Sequence, residues 1–185
     1  IISVCRVEAS VLPTAVLSTH TGGFTGFTFR DLTDDIPSIQ KHWQKENLYF
    51  DAIYTGYLGS AKQVEYVLDI LSTMGRNGSV NIIDPAMADG GKLYTGFDSS
   101  FVQAMKKLIP SADHLLPNIT EACLLTDTQY NPTPDRAFLE ELLKKLHGMG
   151  AKTVIITGEA FTQGKTGAVI YDGKEFSSYE HEIIA

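Results

Sequence analysis

The chain has 185 residues, about the size of one ordinary domain, and 43% of them are hydrophobic, enough to bury a core. The formal net charge is −7 with no cluster of Lys and Arg, which argues against a nucleic-acid-binding groove. No run approaches the apolar length of a membrane span, and residues 1–10 lack the pattern of a signal peptide. Cys5 and Cys123 are too few for a disulfide framework or a zinc site, so we expect a cytoplasmic protein without a membrane partner.

Apolar runs rich in β-branched residues predict strands, and each run is bounded by Gly, Pro, Asp or Asn. In chain order these runs cover residues 11–17, 52–57, 80–83, 153–157 and 168–171.

Helix signals lie between the apolar runs. Ser60 with Gln63 and Asn118 with Glu121 match capping boxes, and either Asp98 or Ser99 could cap a further helix that runs to about Ile109. Apolar residues over 138–146 recur at helical spacing, opened by Thr133-Pro134 and closed by Gly148.

Strands therefore alternate with helices, which predicts an α/β fold: a doubly wound, mostly parallel sheet with helices on both faces. The last part of the chain departs from this alternation. Residues 167–171 and 175–178, joined by Asp172-Gly173, predict a β-hairpin that forms a small flap near the C-terminal end. Because no repeat or linker divides the sequence, we expect residues 1–185 to form a single domain.

In open parallel sheets ligands bind beyond the carboxyl ends of the strands, so polar residues that follow apolar runs are candidate site residues. Each also has a structural explanation, since glycine makes turns and Asp or Asn caps helices. The capping box alone explains both Asn118 and Glu121. The candidates are His20, Thr21, Tyr57, Asp84, Asp89, Thr157 and Glu159.

Residues 158–166 look like a phosphate-binding P-loop, but five residues separate the two glycines where the motif has four. The following residues also predict a strand, whereas a P-loop needs a helix whose N-terminus faces the phosphates. A P-loop nucleoside triphosphatase is therefore disfavoured. A dinucleotide-binding oxidoreductase is disfavoured as well, because no Gly-x-Gly-x-x-Gly opens a helix after a strand.

Taken together, four segments closely resemble bacterial pyridoxal kinases of the ribokinase-like superfamily. They are PTAVLSTHTG (13–22), YTGYLGS (54–60), DPAMAD (84–89) and LPNITEA (116–122). The resemblance implies an ATP- and Mg²⁺-dependent kinase that phosphorylates a vitamin B6 alcohol and forms a homodimer. It implies that His20, Thr21 and Tyr57 contact the substrate. It places Asp84, Asp89, Asn118, Thr157 and Glu159 near the nucleotide, and assigns Mg²⁺ to Asp84 and Glu121.

The sequence departs from this family in two places. A helix-length piece that should precede Pro13-Thr14 is shortened, and the Gly-Thr-Gly-Asp run that carries the catalytic Asp does not occur in these residues. We therefore expect an incomplete record of a longer enzyme. Two alternatives stay open: a hydroxymethylpyrimidine kinase of thiamine synthesis, and a non-catalytic B6-binding protein.

Overall fold

A computed structural model describes residues 2–19 and 24–183. The strands are β1 Ala15–Leu17, β2 Phe29–Asp31, β3 Phe50–Tyr54, β4 Gly75–Ile83, β5 Ala88–Asp89, β6 Lys92–Leu93, β7 His114–Leu115, β8 Thr153–Thr157, β9 Lys165–Tyr171 and β10 Phe176–Glu182. The α-helices are α1 Ile36–Lys45, α2 Ala61–Thr73, α3 Ser99–Lys106, α4 Ile119–Leu125 and α5 Arg136–Gly148. Short 3-10 turns cover Ile2–Cys5, Thr33–Asp35 and Ile109–Ser111.

The central sheet has six strands in the order β10-β9-β8-β7-β4-β3. Strands β3, β4, β7 and β8 are parallel, whereas β9 and β10 are antiparallel. The predicted mostly parallel α/β fold is therefore confirmed. The predicted hairpin is also present as β9 and β10, and it extends the central sheet at its edge. Its turn is held by the Asp172 carboxylate, which accepts hydrogen bonds from the N–H groups of Lys174 and Glu175.

The predicted strand over residues 11–17 is mostly wrong. Only Ala15–Leu17 is a strand, and it pairs with β2 in a separate two-stranded antiparallel sheet. Pro13 has no amide proton to donate to a neighbouring strand. The carbonyl oxygen of Thr14 still accepts a hydrogen bond from the N–H of Leu32, just after β2, and it also accepts one from the side-chain amide of Gln63.

The described helices lie in one layer on one face of the sheet, rather than on both faces as predicted. Neighbouring helices pack against each other in chain order from α1 to α5. Strands β3, β4, β7 and β8 follow one another across the sheet without reversal, so right-handed crossovers place each connecting helix on the same side. Sheet residues facing the helices are fully buried, namely Ile83, Leu115, Val154, Ile156 and Val169. Their neighbours on the opposite face, Ile82, Ile155 and Ile170, are partly exposed.

Three of the predicted helix starts are confirmed by their capping bonds. The side chain of Ser60 accepts a hydrogen bond from the N–H of Gln63, and Asp98 caps α3. Asn118 and Glu121 form a complete capping box at the start of α4. The last helix begins later than the Thr133-Pro134 start predicted for it, because Asp135 is its N-cap.

In the part of the chain that the structure describes, no helix has both the length and the apolar character to cross a membrane.

Candidate active site

Asp84 follows β4 and is held by residues at the end of β3. The hydroxyl of Thr55 accepts a hydrogen bond from the N–H of Asp84 at 3.0 Å. The phenol of Tyr54 donates to Oδ2 of Asp84 at 3.1 Å. Burial raises the pKa of the Asp84 carboxyl, and the bond from Tyr54 acts in the opposite direction. The parallel strands β3 and β4 thus bring a partly buried carboxylate to their shared carboxyl end.

Glu121 lies in the first turn of α4 and is only 3% exposed. Its Oε1 accepts hydrogen bonds from the N–H groups of Met87, at 3.0 Å, and Ala88, at 3.4 Å. Its Oε2 accepts from the N–H of Asn118 at 2.9 Å. Burial nevertheless raises the pKa of Glu121 to about 7, and the negative charge of Asp84 contributes in the same direction. The two carboxylates are therefore electrostatically coupled.

Asn118 links three parts of the site. Its Oδ1 accepts from the N–H of Glu121 at 3.0 Å, and its Nδ2 donates to the carbonyl oxygen of Ala88 at 2.7 Å. Its backbone also forms an isolated parallel bridge with Thr157, whose N–H donates to the carbonyl oxygen of Pro117 at 2.9 Å. The capping explanation is therefore confirmed, and the amide group adds a cross-link that capping does not require.

Thr157 and Glu159 flank Gly158 at the end of β8. Gly158 has a φ of 81°, which lets the chain turn, and its N–H donates to the carbonyl oxygen of Gly167 at 2.8 Å. The hydroxyl of Thr166 donates to the carbonyl oxygen of Gly158. Burial raises the pKa of Glu159. The turn is thus anchored to β9 and presents both predicted side chains at the same edge as Asn118.

Asp89 is exposed on the small hairpin formed by β5 and β6. Its carboxylate accepts a hydrogen bond from the N–H of Gly90 at 2.8 Å. The hairpin is tied to α4 because the hydroxyl of Thr120 accepts from the N–H of Gly91 at 3.0 Å. Asp89 therefore lies on a loop that is anchored beside the Asn118–Glu121 helix start.

A cavity of about 750 Å³ borders the end of β3 and the residues that follow it. Its walls include residues 10–15 and 52–58, and they are mostly apolar. Tyr57 lines this cavity, and its ring stacks on Phe97 with 5.8 Å between centroids. The hydroxyl of Thr14 donates to the carbonyl oxygen of Tyr57 at 2.8 Å, which joins the two walls. Tyr57 therefore borders a concave and mostly apolar cavity, and its contact with a flat ligand stays a prediction.

The structure brings several predicted residues together and leaves others apart. Hydrogen bonds, backbone pairing or coupled charges join Asp84, Asn118, Glu121 and Thr157. Among the hydrogen bonds of the described residues, none joins Glu159 to another predicted site residue. His20 and Thr21 lie outside the described residues. Within residues 2–19 and 24–183, no group of three or more His, Cys, Asp or Glu side chains is arranged to hold a metal ion.

Sequence reasoning missed Tyr94, which directly follows β6. Burial raises the pKa of its phenol most, and the negative charges of Glu121, Asp89 and Asp84 raise it further. The Tyr94 phenol therefore lies close to three of the four carboxylates that the resemblance places at the nucleotide and its Mg²⁺; the fourth is Glu159. No motif marks Tyr94, and only its place three residues after the hairpin glycine Gly91 could have drawn attention to it.

Tyr54 was also missed, because it is the last residue of its strand and the search took polar residues that follow a strand. Thr55 lies in a segment that the sequence singled out, together with Gly56 and Tyr57, but only Tyr57 was assigned a role. Counting the last strand residue as well as those after it would have found Tyr54.

Polar groups at the carboxyl ends of adjacent parallel strands mark the edge at which α/β enzymes commonly bind their ligands. One similar structure is that of a protein from Bacteroides thetaiotaomicron, assigned as a phosphomethylpyrimidine kinase and crystallised with pyridoxal. Its sequence is 39% identical to this chain and the TM-score is 0.86. The match covers 94% of this chain and 62% of that one. Pyridoxal kinase from Lactobacillus plantarum is 33% identical, with a TM-score of 0.88, over 100% of this chain and 65% of that one. The thiamine biosynthetic bifunctional enzyme TH1 of Arabidopsis thaliana is 32% identical over 96% of this chain and 33% of its own length.

The model of the phosphomethylpyrimidine kinase family matches residues 2–185, and the chain belongs to this family. The chain spans less than two thirds of the length of each of these three relatives.

Proposed function

We propose that this chain contributes the ligand-binding part of an ATP-dependent kinase that phosphorylates the 5′-hydroxymethyl group of pyridoxal, pyridoxine or pyridoxamine. The observation that carries the proposal is that one short segment at the end of β3 contacts both the carboxylate of Asp84 and the cavity. Tyr54 and Thr55 form hydrogen bonds with Asp84, while Tyr57 borders the cavity. A flat vitamer in the cavity would therefore lie beside the carboxylates that a metal-bound triphosphate requires. The crystallisation of the Bacteroides relative with pyridoxal supports this substrate class.

We assign the vitamer to the cavity. Its volume falls in the range of about 300–1,000 Å³ that is usual for small-molecule sites. The ring of Tyr57 offers a flat partner for the pyridine ring, with edge or stacked contacts that favour an aromatic ligand. His20 and Thr21, which follow β1 in the chain, are assigned to the same ligand because imidazole and hydroxyl groups can bond its ring nitrogen and oxygen.

We assign the nucleotide to the edge formed by the ends of β4, β7 and β8. The residues assigned to it are Asp84, Asp89, Asn118, Thr157 and Glu159. Carboxylates repel a bare triphosphate, so the nucleotide must arrive with a divalent cation that offsets this repulsion.

The donor set fits Mg²⁺ bound in this way. Magnesium commonly takes one or two protein carboxylates and completes its shell with water and substrate phosphates, so a cage of three carboxylates is not needed. Asp84 has one oxygen bonded to Tyr54, which leaves Oδ1 for the ion or its water. Both oxygens of Glu121 already accept backbone N–H groups, so we assign Glu121 to the ion through its charge or through water. The ion would neutralise charge on the phosphates.

The described residues bind and orient; they do not include the base that would take the proton of the vitamer hydroxyl. In the family that the sequence resembles, this base is the Asp of a Gly-Thr-Gly-Asp run, which is not in these residues. On the same resemblance, we propose that the active enzyme forms a homodimer.

The main alternative is a hydroxymethylpyrimidine kinase. The family description and the relative TH1 both favour it, and its substrate also carries a hydroxymethyl group on a flat heteroaromatic ring. The same cavity and carboxylates would serve either substrate.

A coupled ATP-consumption assay on the natural polypeptide that contains this chain tests the proposal. Pyridoxal, pyridoxine, pyridoxamine and hydroxymethylpyrimidine are compared under the same conditions. We expect a higher kcat/KM for a B6 vitamer than for the pyrimidine. A clear preference for the pyrimidine would establish the alternative, and pyridoxal binding without ATP consumption would indicate a non-catalytic binding protein.

A further inference from the structure

The phenol of Tyr54 reaches across from β3 to the end of β4. Parallel pairing sets Tyr54 opposite Ile82, and Asp84 lies two residues further along the chain from Ile82. Because side chains alternate along a strand, this diagonal neighbour is within reach of an aromatic side chain. The result is the 3.1 Å hydrogen bond from the Tyr54 hydroxyl to Oδ2 of Asp84.

The bond from Tyr54 is made to the carboxylate group of Asp84 rather than to its backbone. Thr55 binds only the backbone of Asp84, through the N–H and carbonyl groups. Across residues 2–19 and 24–183, Tyr54 makes the one side-chain hydrogen bond to that carboxylate. An aspartate with one oxygen held by a fixed donor has a defined orientation, and its second oxygen is left for a ligand.

Tyr54 has no evident structural reason to be a tyrosine. Tyr54 is 52% exposed, on the sheet face that the described helices leave uncovered. Its hydrogen bond to Asp84 is also exposed, and such a bond contributes little to folding, since water can replace either partner. Tyr54 also lines the cavity, so the same residue borders the cavity and bonds the carboxylate.

We propose that Tyr54 is a positioning residue: its hydroxyl holds the Asp84 carboxylate with Oδ1 directed to the cation that accompanies the nucleotide. This inference rests on the proposed function. Residues that orient a metal ligand typically change metal affinity by about 10- to 100-fold when they are removed. The role belongs to the hydroxyl, so the ring alone should not supply it.

The test compares Tyr54→Phe with wild type in the natural polypeptide that contains this chain. Tyr49→Phe is the matched control, because Tyr49 is also an exposed tyrosine near β3 and does not line the cavity. Calorimetry measures ADP affinity as Mg²⁺ is varied and, separately, pyridoxal affinity. Thermal unfolding checks that each variant folds.

We expect Tyr54→Phe to raise the half-saturating Mg²⁺ concentration about tenfold while the pyridoxal dissociation constant stays within about twofold. Tyr49→Phe should match wild type in both. An unchanged Mg²⁺ requirement in Tyr54→Phe would overturn the inference, and so would a loss confined to pyridoxal affinity. If wild type itself shows no Mg²⁺-dependent nucleotide binding, the proposed function fails instead, which separates the two results.

Discussion

Glu121 accepts a hydrogen bond from the backbone N–H of Met87 at 3.0 Å, although the two residues are 34 positions apart in the chain. The bond joins the first turn of α4 to the segment between β4 and β5. A carboxylate that local sequence places at a helix start thereby also orders the loop that leads from Asp84 to Asp89.

Replacing Glu121 with Gln should remove a pH dependence of stability. The folded pKa of about 7 lies above the ordinary value of 4.5, so the stabilisation is complete below about pH 4.5 and is lost as pH rises through about 7. Between pH 5 and pH 8 this group should cost wild type about 2 to 3 kcal/mol of unfolding free energy. Urea unfolding at the two pH values measures the difference in wild type, Glu121→Gln and the exposed control Glu65→Gln. Equal pH dependence in all three proteins would contradict the prediction.

Removing the side chain of Asn118 should affect both folding and nucleotide binding. Asn118→Ala loses the helix cap and the bond to the Ala88 carbonyl, a loss of about 1 to 3 kcal/mol. Asp98→Ala is the matched control, since it removes the cap of α3 away from the site. We expect both variants to lose stability in chemical unfolding and only Asn118→Ala to lose ADP affinity in calorimetry. Similar ADP affinities in the two variants would leave Asn118 as a cap alone.

Replacing Tyr57 with Ala should weaken vitamer binding more than nucleotide binding. The ring borders the cavity and stacks on Phe97, and an aromatic pair contributes about 0.5 to 1.5 kcal/mol beyond its buried area. Pyridoxal affinity should therefore fall about tenfold or less, with ADP affinity nearly unchanged. Titration calorimetry with each ligand decides the matter. Equal losses for both ligands would remove Tyr57 from the vitamer site.

Replacing Gln63 with Leu should destabilise the loop that carries Tyr57. Gln63 is fully buried; its Oε1 accepts from the N–H of Gly59, and its Nε2 donates to the Thr14 carbonyl and the Thr33 hydroxyl. Leucine leaves these groups unsatisfied, at about 1 to 3 kcal/mol.

Urea unfolding of Gln63→Leu and of the exposed control Gln103→Leu measures this loss. The control should stay within about 0.5 kcal/mol of wild type. A comparable loss in Gln103→Leu would indicate a general effect of leucine rather than the network around Gln63.

Local interactions explain which predictions were accurate. The capping box of Asn118 and Glu121 needs only residues three apart, and so does the Ser60 cap. The Asp172-Gly173 turn is equally local. The strand over residues 11–17 was predicted from its apolar pattern, but a strand also needs a partner, and sequence periodicity does not say which edge is free.

The sequence by itself determined where helices α2, α3 and α4 begin, which runs form strands β3, β4 and β8, and which polar residues stand at the ends of those strands, because these depend on contacts within a few residues. Only the tertiary structure decided that the described helices share one face, that Tyr54 bonds Asp84 and that Glu121 holds Met87. These features depend on strand order and register, which join residues about thirty positions apart and leave no periodic trace in the chain.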